Sequence, residues 1–501
     1  MAISASDLIN AKIQTVGVSD LAATIEKSRA YFAKTAYPTY GDWPAVGGEQ
    51  HYPKLQTPLP EIIIKKSAGF LMKTPPRFYV KDNETATTFL REVLDDNALD
   101  WVAIAQTAGV EGAIWLKYTY DSSNTIRNWK INVMGVEEVI PIYDPHDISH
   151  LMMVRVQYQY QRPDGSAWWY REEWTDEQYV VYEELPSSIF DEREALEHAR
   201  EGGLDDDTGP WRIATSTPNA FGVIPFQHVK NLVDPLNPNG YGDVWGLWDV
   251  FDRINVAYDN MDESNQFGAG PVTIFKEADN APYDVTPHQS YSISGPNADV
   301  IQLEHQGNLR GPMQWYAEKL ESMSYSAVGI VNPKLEDVAG LGQLSYAALQ
   351  LLHGPLIEYT DRKRDYWGKR GVNLFLEKLL RGASRWSKDF AGADQMEVVT
   401  EWPDYFPMGG VDKQIEITNI KAASEIGLPV EDTVKWLAKV IGIHEEELPD
   451  FLKRAQADAE ARRILLEATQ AIKNLPGQDT NTPGVQQQAV GGGDKGAARK
   501  Q

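Results

Sequence analysis

Strand-like and helix-like patterns occupy separate stretches of this chain, which predicts an α+β fold rather than one with regularly alternating strands and helices. Two observations carry the prediction. Residues 112–184 alternate with period two and are broken by turns such as Pro163-Asp164-Gly165. Helical spacing dominates both before this block and after residue 240, including one stretch with a strict 3.5-residue repeat and one long helical pattern over 344–381.

Composition bounds the function classes. At 501 residues with 42% hydrophobic content, 15 Trp and 23 Tyr, the chain can bury several cores. No run of eighteen apolar residues is present, so no transmembrane helix is expected, and Met1 to Asn10 lacks the pattern of a signal peptide. Cysteine is absent, which excludes disulfides, thiol catalysis and Cys-based zinc sites and fits assembly in a reducing cytoplasm. Acids outnumber bases 72 to 47, a net charge of −25. Proteins that grip DNA through its phosphates are usually basic, so the chain is not an ordinary DNA binder. An acidic wall could still surround DNA and let it slide.

Taken in order, residues 6–36 read as an amphipathic helix, followed by a Gly/Pro-rich loop over 37–60. A helix over 60–72 begins at a proline and is stopped by Thr74-Pro75-Pro76; a strand over 77–80 and helices over 84–94 and 99–109 follow. Strands are expected at 113–120, 129–133, 139–144, 151–160, 167–174 and 178–182. Residues 187–215 read as a charged loop, and Asp205-Asp206-Asp207 lacks the Gly and Glu spacing of a calcium loop. A buried-type strand is expected over 221–229.

Over 244–267 the apolar residues Leu247, Phe251, Ile254, Tyr258 and Met261 recur every three or four positions. Asp249, Asp252, Asp259, Asp262 and Glu263 lie mainly off that line. In one helix, the pattern fits an ordinary core face as well as a seam along a neighbouring chain. Short strands are expected at 271–275, 291–294 and 300–302, and a helix over 312–328. Residues 332–342 form a loop with Lys334, Glu336, Asp337, Gly340 and Gly342. The long helical pattern behind it spans roughly 55 Å at 1.5 Å per residue and should kink at Gly354-Pro355. It carries a basic cluster, Arg362-Lys363-Arg364 with Lys369 and Arg370, expected mainly to pair with acids of a neighbouring subunit. A strand at 398–402 and helices over 411–426, 431–441 and 445–471 follow, and the Gln/Gly-rich tail from 476 is expected to be disordered.

Catalytic signatures are missing. There is no phosphate-binding loop, no His-Glu-x-x-His and no Gly-x-Ser-x-Gly. Gly268-Ala-Gly270 follows a helix, the wrong order for a dinucleotide site, and His146 and His150 flank a turn. A glycosidase acid pair is not excluded by counting carboxylates, but no repeated strand–helix units support a catalytic barrel. The expectation is therefore no enzymatic activity, no cofactor and no metal.

Several segments together resemble the portal proteins of tailed bacteriophages. The helix over 60–72 ending at Lys73-Thr74-Pro75 is similar to that family's early helix, which more often closes on Gly-x-Pro. Asn219-Ala-Phe-Gly-Val-Ile-Pro-Phe226 is similar to its Asn-x-Phe-Gly-x-Ile-Pro strand. Gly240-Tyr-Gly-Asp-Val-Trp-Gly-Leu-Trp-Asp-Val-Phe-Asp252 resembles the opening of its first stem helix. Gly342-Gln-Leu-Ser-Tyr-Ala-Ala-Leu349 resembles the start of its long helix, with Tyr346 where Gly is usual, and 429–471 resembles its crown helices. No single motif is specific; their order over about 55–470 carries the match.

The resemblance implies a wing (1–240), a first stem helix (241–267), a clip (268–311), a second stem helix (312–330) and a tunnel loop (331–343). A long kinked helix (344–382), a return to the wing (383–410), a helical crown (411–471) and the tail (472–501) would complete the chain. It implies a ring of twelve subunits at one capsid vertex of the virion, through which double-stranded DNA passes. Partners would be the terminase large subunit, a head–tail adaptor and the capsid and scaffolding proteins, with no membrane. Asp249, Asp252, Asp259, Asp262 and Glu263 would line the channel, and Leu247, Phe251, Ile254, Tyr258 and Met261 would form the subunit seam. Lys334 would approach phosphate from the tunnel loop. Another phage head–tail connector protein is the alternative, and a carbohydrate-active enzyme a more distant one.

Overall fold

The computed structural model describes residues 18–41, 45–46, 49–50, 52–123, 128–144, 146–147, 150–189, 211–233, 239–269, 272–277, 279, 294–303, 310–330, 346–406, 410–444, 447–458 and 460. The chain divides into two compact units, Met1–Gly409 and Gly410–Gln501.

The first unit opens with α1 (Val18–Ala33), the short pair β1 (Ala45–Val46) and β2 (Glu49–Gln50), and α2 (Leu59–Met72). Pro60 sits in the first turn of α2, where its missing N–H costs nothing. Strand β3 (Arg77–Val80) leads to α3 (Glu84–Asn97) and α4 (Trp101–Glu111). Both helices are capped by their own sequence: Asn83 accepts from the Ala86 N–H at 2.9 Å, and Asp100 from those of Val102 and Ala103 at 3.1 and 3.0 Å. Gly112, with φ of 86°, ends α4 in the left-handed region.

The period-two block forms two antiparallel sheets. Strands β4 (Ala113–Tyr120), β5 (Trp129–Met134) and β12 (Phe226–Lys230) give a three-stranded sheet in the order β12-β4-β5. The other sheet contains β6 (Val139–Tyr143), β7 (Leu151–Gln161), β8 (Ala167–Trp174), β9 (Gln178–Tyr182), the short β10 (Leu185–Pro186) and β11 (Ile213–Pro218). Its order is β11-β9-β8-β7-β6, with β10 paired to β8. Strands β7 and β8 form a hairpin that turns at Asp164, whose carboxylate accepts from the Ser166 N–H at 2.9 Å, and at Gly165, with φ of 82°.

Successive residues of a strand face opposite sides, and β8 uses this to place two buried carboxylates. Glu173 meets Arg155 across the ladder at 2.6 Å and Arg171 at 2.7 Å, and accepts the Tyr182 hydroxyl at 2.9 Å. Burial opposes its charge, but the two guanidiniums outweigh burial and hold it below the ordinary carboxylate range. Glu172 points the other way, accepts the hydroxyls of Tyr170 and Tyr179 at 2.9 and 3.1 Å, and pairs with Lys117 of β4, bridging the two sheets.

Strand β11 falls inside and beyond the stretch expected to be loop. All six of its residues are exposed, so the edge strand Ile-Ala-Thr-Ser-Thr-Pro carries no apolar alternation to announce it. The strand expected over 221–229 begins only at Phe226; before it the chain turns at Gly222, with φ of 65°.

After β12 come α5 (Trp248–Ala269), the antiparallel pair β13 (Val272–Lys276) and β14 (Asp299–Leu303), and α6 (Arg310–Ala327). The expected strand at 291–294 lies largely outside the described residues. The long helical pattern is α7 (Tyr346–Leu352), α8 (Gly354–Trp367), a π-helical turn over Gly368–Val372, and α9 (Asn373–Ala383). The break at His353 precedes Gly354-Pro355 as expected. The π turn was not expected. It presses against β12: a Cβ on Gly371 would meet the Tyr366 carbonyl oxygen at 2.7 Å and Val229 at 3.0 Å. Strand β15 (Val398–Glu401) returns to pair antiparallel with β3.

One core lies between the three-stranded sheet, α3, α9 and β15, around Trp115, Tyr118, Phe226, Trp367 and Phe375. A second gathers α1, α2, α5, α6 and α8 around Tyr31, Ile63, Phe251, Ile254 and Leu356. The second unit contains α10 (Gly410–Ile426) and α11 (Val430–Ile441), packed on each other, and helical residues within 447–460; the rest of the expected last helix and the tail lie outside the described residues.

Truncating Phe226 to Ala should lower the unfolding free energy of the first unit by about 3–5 kcal/mol, as for other fully buried aromatics. Ile213→Ala on the exposed β11 edge should stay within about 0.5 kcal/mol. Chemical denaturation of the two variants measures both.

Candidate functional site: the paired helices and their anchor

Helices α5 and α6 are the two segments expected to form a stem, and they pack against each other. The inner face of α5 presents Phe251 and Ile254, both fully buried, with Leu247 and Tyr258 packed at the edge of the same core. Tyr258 donates its hydroxyl to Glu321 of α6. Met261 is half-buried. The expected subunit seam is thus corrected at its centre: Phe251 and Ile254 are sealed inside the chain's own core by Tyr31, Leu59, Ile63 and Leu320 and cannot also touch a neighbour. A 3.5-residue repeat fixes one apolar stripe but not which partner covers it.

The five expected channel acids separate into two groups. Asp249, Asp262 and Glu263 are exposed. Asp252 is half-buried and accepts the hydroxyls of Tyr31 at 2.7 Å and Tyr37 at 2.6 Å. Burial raises its carboxyl above the ordinary range, and the two tyrosines offset this only in part. Asp259 accepts the Lys54 N–H at 3.2 Å. These two acids tie α5 to α1 and to the chain before α2. Lys334, Glu336, Asp337, Gly340 and Gly342 lie outside the described residues.

The chain leading into α5 is anchored by a buried polar hub. Asp243 is almost inaccessible, and its carboxylate takes both oxygens to Lys363 of α8, at 2.6 and 2.8 Å. The same carboxylate accepts the Tyr359 hydroxyl at 3.0 Å and the Asn231 amide at 2.8 Å, and Lys363 also donates to Ser67 of α2 at 2.8 Å. The Asp243 N–H donates to the Gly109 carbonyl of α4 at 2.8 Å. Burial pushes the Lys363 ammonium down and Asp243 pulls it back up, with burial the larger effect. Next to the hub, Trp245 donates its indole N–H to the Val110 carbonyl at 2.9 Å. Gly240, with φ of 135°, passes so close to Gly112 that a Cβ would lie 2.3 Å from the Gly112 carbonyl oxygen.

The hub also corrects the reading of the basic cluster. Lys363 pairs with Asp243 of its own chain, not a neighbour's acid. Arg364 lies over the rings of Tyr405 and Trp402 and donates to the Pro403 carbonyl at 3.0 Å, and Arg370 pairs with Asp365 at 3.0 Å. Arg362 and Lys369 remain exposed. Nothing in a Lys/Arg-rich helical stretch distinguishes the one lysine that points inward. An aspartate between close-packed glycines and tryptophans, in a stretch with no regular spacing, was the available signal for Asp243.

Among the described residues no cluster of three or more His, Asp or Glu side chains could hold a metal ion, and no helix is long and apolar enough to cross a membrane. The Phage portal protein, SPP1 Gp6-like, family matches residues 49–328, which is more than half of the chain and runs from before α2 to the end of α6. The chain belongs to this phage portal family.

Portal proteins of this family are structural components of phage particles. No curated protein sequence matches the chain. Among solved structures it is similar to the neck of a native GTA particle computed with C12 symmetry, with 13% identity, a TM-score of 0.40, and coverage of 83% of this chain and 92% of that one. It is also similar to the neck of an empty GTA particle computed with C6 symmetry, at 13% identity and a TM-score of 0.39 over 84% and 94% of the two chains. At such scores neither likeness bears on the portal assignment, which rests on the family match.

Breaking the hub by Lys363→Met leaves a buried carboxylate without its cation and should cost about 3–5 kcal/mol. Asp243→Asn together with Lys363→Met should cost clearly less than the sum of the single changes in a urea-unfolding double-mutant cycle. Additive costs would mean that the two charges do not act as a pair.

Proposed function

We propose that this portal-family chain assembles into a ring of twelve at one capsid vertex and forms the channel for packaging and ejection of double-stranded DNA. The terminase motor and head–tail adaptor would dock on the ring, with the capsid and scaffolding proteins around it, and the chain itself would carry out no catalysis. In this reading 1–240 with 383–410 is the wing, α5 and α6 are the stem, 268–311 is the clip, 331–343 the tunnel loop and 411–471 the crown. The family match over 49–328 carries the proposal.

The stem pair supports it. Helix α6 turns Ala317, Leu320 and Ser324 inward, while Trp315, 66% exposed, Tyr316 and Met323 stand on its outer side. An aromatic and methionine stripe of this kind marks a surface that another chain covers. A ring of identical copies would supply one, and this exposure favours a subunit contact on α6 over one through Phe251 and Ile254. Asp249, Asp262 and Glu263 remain as the stem acids that can face a channel, where at a Debye length of about 8 Å they repel phosphates and limit resting contacts.

Negative-stain images of purified protein should show rings with a central hole of duplex width. Trp315→Asp with Met323→Asp should shift sedimentation from ring to monomer; persistence of rings in this variant would move the contact elsewhere. A ring carrying Asp249→Asn, Asp262→Asn and Glu263→Gln should bind short duplex DNA more tightly than wild type at low salt. The difference should close as salt is raised. Equal affinity at both salt concentrations would remove these acids from the channel wall.

A further inference from the structure

Helix α7 lies at the surface. Among its described side chains none is buried, and Leu351 is 82% exposed. It joins α8 at His353, where Pro355 interrupts the helix. The His353 ring sits in a box of aromatic side chains drawn from two other parts of the fold. Phe70 of α2 stacks beside it, with centroids 6.4 Å apart, and Phe406 lies 5.3 Å away at 41°. Tyr405 closes the box by stacking on Phe70 at 4.9 Å and 8°. The His353 Nδ1 is buried and has no hydrogen-bond partner.

We propose that His353 is a proton-sensitive latch that seats α7 on the body of the first unit: neutral imidazole closes the aromatic box, and imidazolium opens it. Nδ1 is an acceptor without a donor in an apolar setting, and that is tolerated. Protonation places an N–H and a positive charge there, where no acceptor awaits them. The facing rings attract a cation, but they do not replace the lost water. Burial accordingly pushes the imidazole below its ordinary range.

The charged and titratable groups on the surrounding elements do not compensate. Tyr405 donates its hydroxyl to Asp361, and the Arg364 guanidinium lies over its ring. Lys66 lies over Tyr325. Neither these nor Lys73 and Asp404 forms a hydrogen bond or an ion pair with His353. The sign follows from linkage. The seated state has the lower pKa and binds fewer protons, so seating is complete above about pH 6.5, the ordinary imidazole value, and weakens as pH falls through the lowered one. Each unit by which the pKa is lowered multiplies the open fraction by about ten.

Amide hydrogen exchange of the full-length protein, corrected for intrinsic rates, tests this between pH 8 and pH 5. Exchange over 346–353 should rise about tenfold as pH falls, while α9 stays unchanged, and His353→Phe should abolish the rise. A wild-type profile without the step overturns the latch even if the variant does not fold. So does a step that persists in His353→Phe.

Discussion

The ion pair between Asp243 and Lys363 governs how this fold places the start of α5. Two unit charges removed from water are stable only when each is fully used, and here both are. The carboxylate takes the lysine, a tyrosine hydroxyl and an asparagine amide; the lysine takes the carboxylate and a serine hydroxyl. Those partners come from α2, α8 and the chain after β12, and the backbone of Asp243 adds α4. The segment that opens α5 therefore has one position, set where these elements converge. The Gly240 and Gly112 backbones can pass only because neither carries a Cβ, and the Trp245 indole closes the other side.

From that anchor α5 runs with two unlike faces. The inner one joins the core of α1, α2 and α6 and is further fixed by polar contacts from Asp252 and Asp259. The outer one keeps Asp249, Asp262 and Glu263 in solvent. A helix whose apolar stripe is consumed within its own chain could offer the proposed ring only its remaining surface, and in that reading the apolar contact would fall to α6. This division would suit the proposed channel: the inner face is held within the subunit, and the exposed carboxylates would be left to act on a polyanion at a distance.

The helices that follow α6 show how irregular backbone is used. Pro355 interrupts the pattern at His353, and the two glycines of the π turn allow close approach, Gly371 to Val229 of β12 and Gly368 to Thr400 of β15 and Trp402. One long helix becomes three pieces with different holds on the core. Helix α9 is deeply buried through Phe375, Leu376, Leu379 and Leu380, whereas α7 has no buried side chain among those described. Burial therefore falls off along this path from α9 to α7.

Local signals were enough for much of this architecture. Period-two alternation placed the strands from Ala113 to Tyr182, prolines marked both ends of α2, and the 3.5-residue repeat located α5. The ordered motifs from Pro60 to Leu349 also pointed to the portal family before any contact was known. What the sequence could not reveal was the partner of each surface. A stripe through Phe251 and Ile254 has the same spacing whether a neighbour or its own chain covers it, and Lys363 looks like Arg362 until Asp243 is brought across 120 positions to meet it. Strand β11 was invisible because an exposed edge needs no apolar pattern, only a strand to pair with. Secondary structure follows from interactions a few residues long, which sequence records directly. Burial and pairing depend on which distant elements meet, and only the tertiary structure decides that.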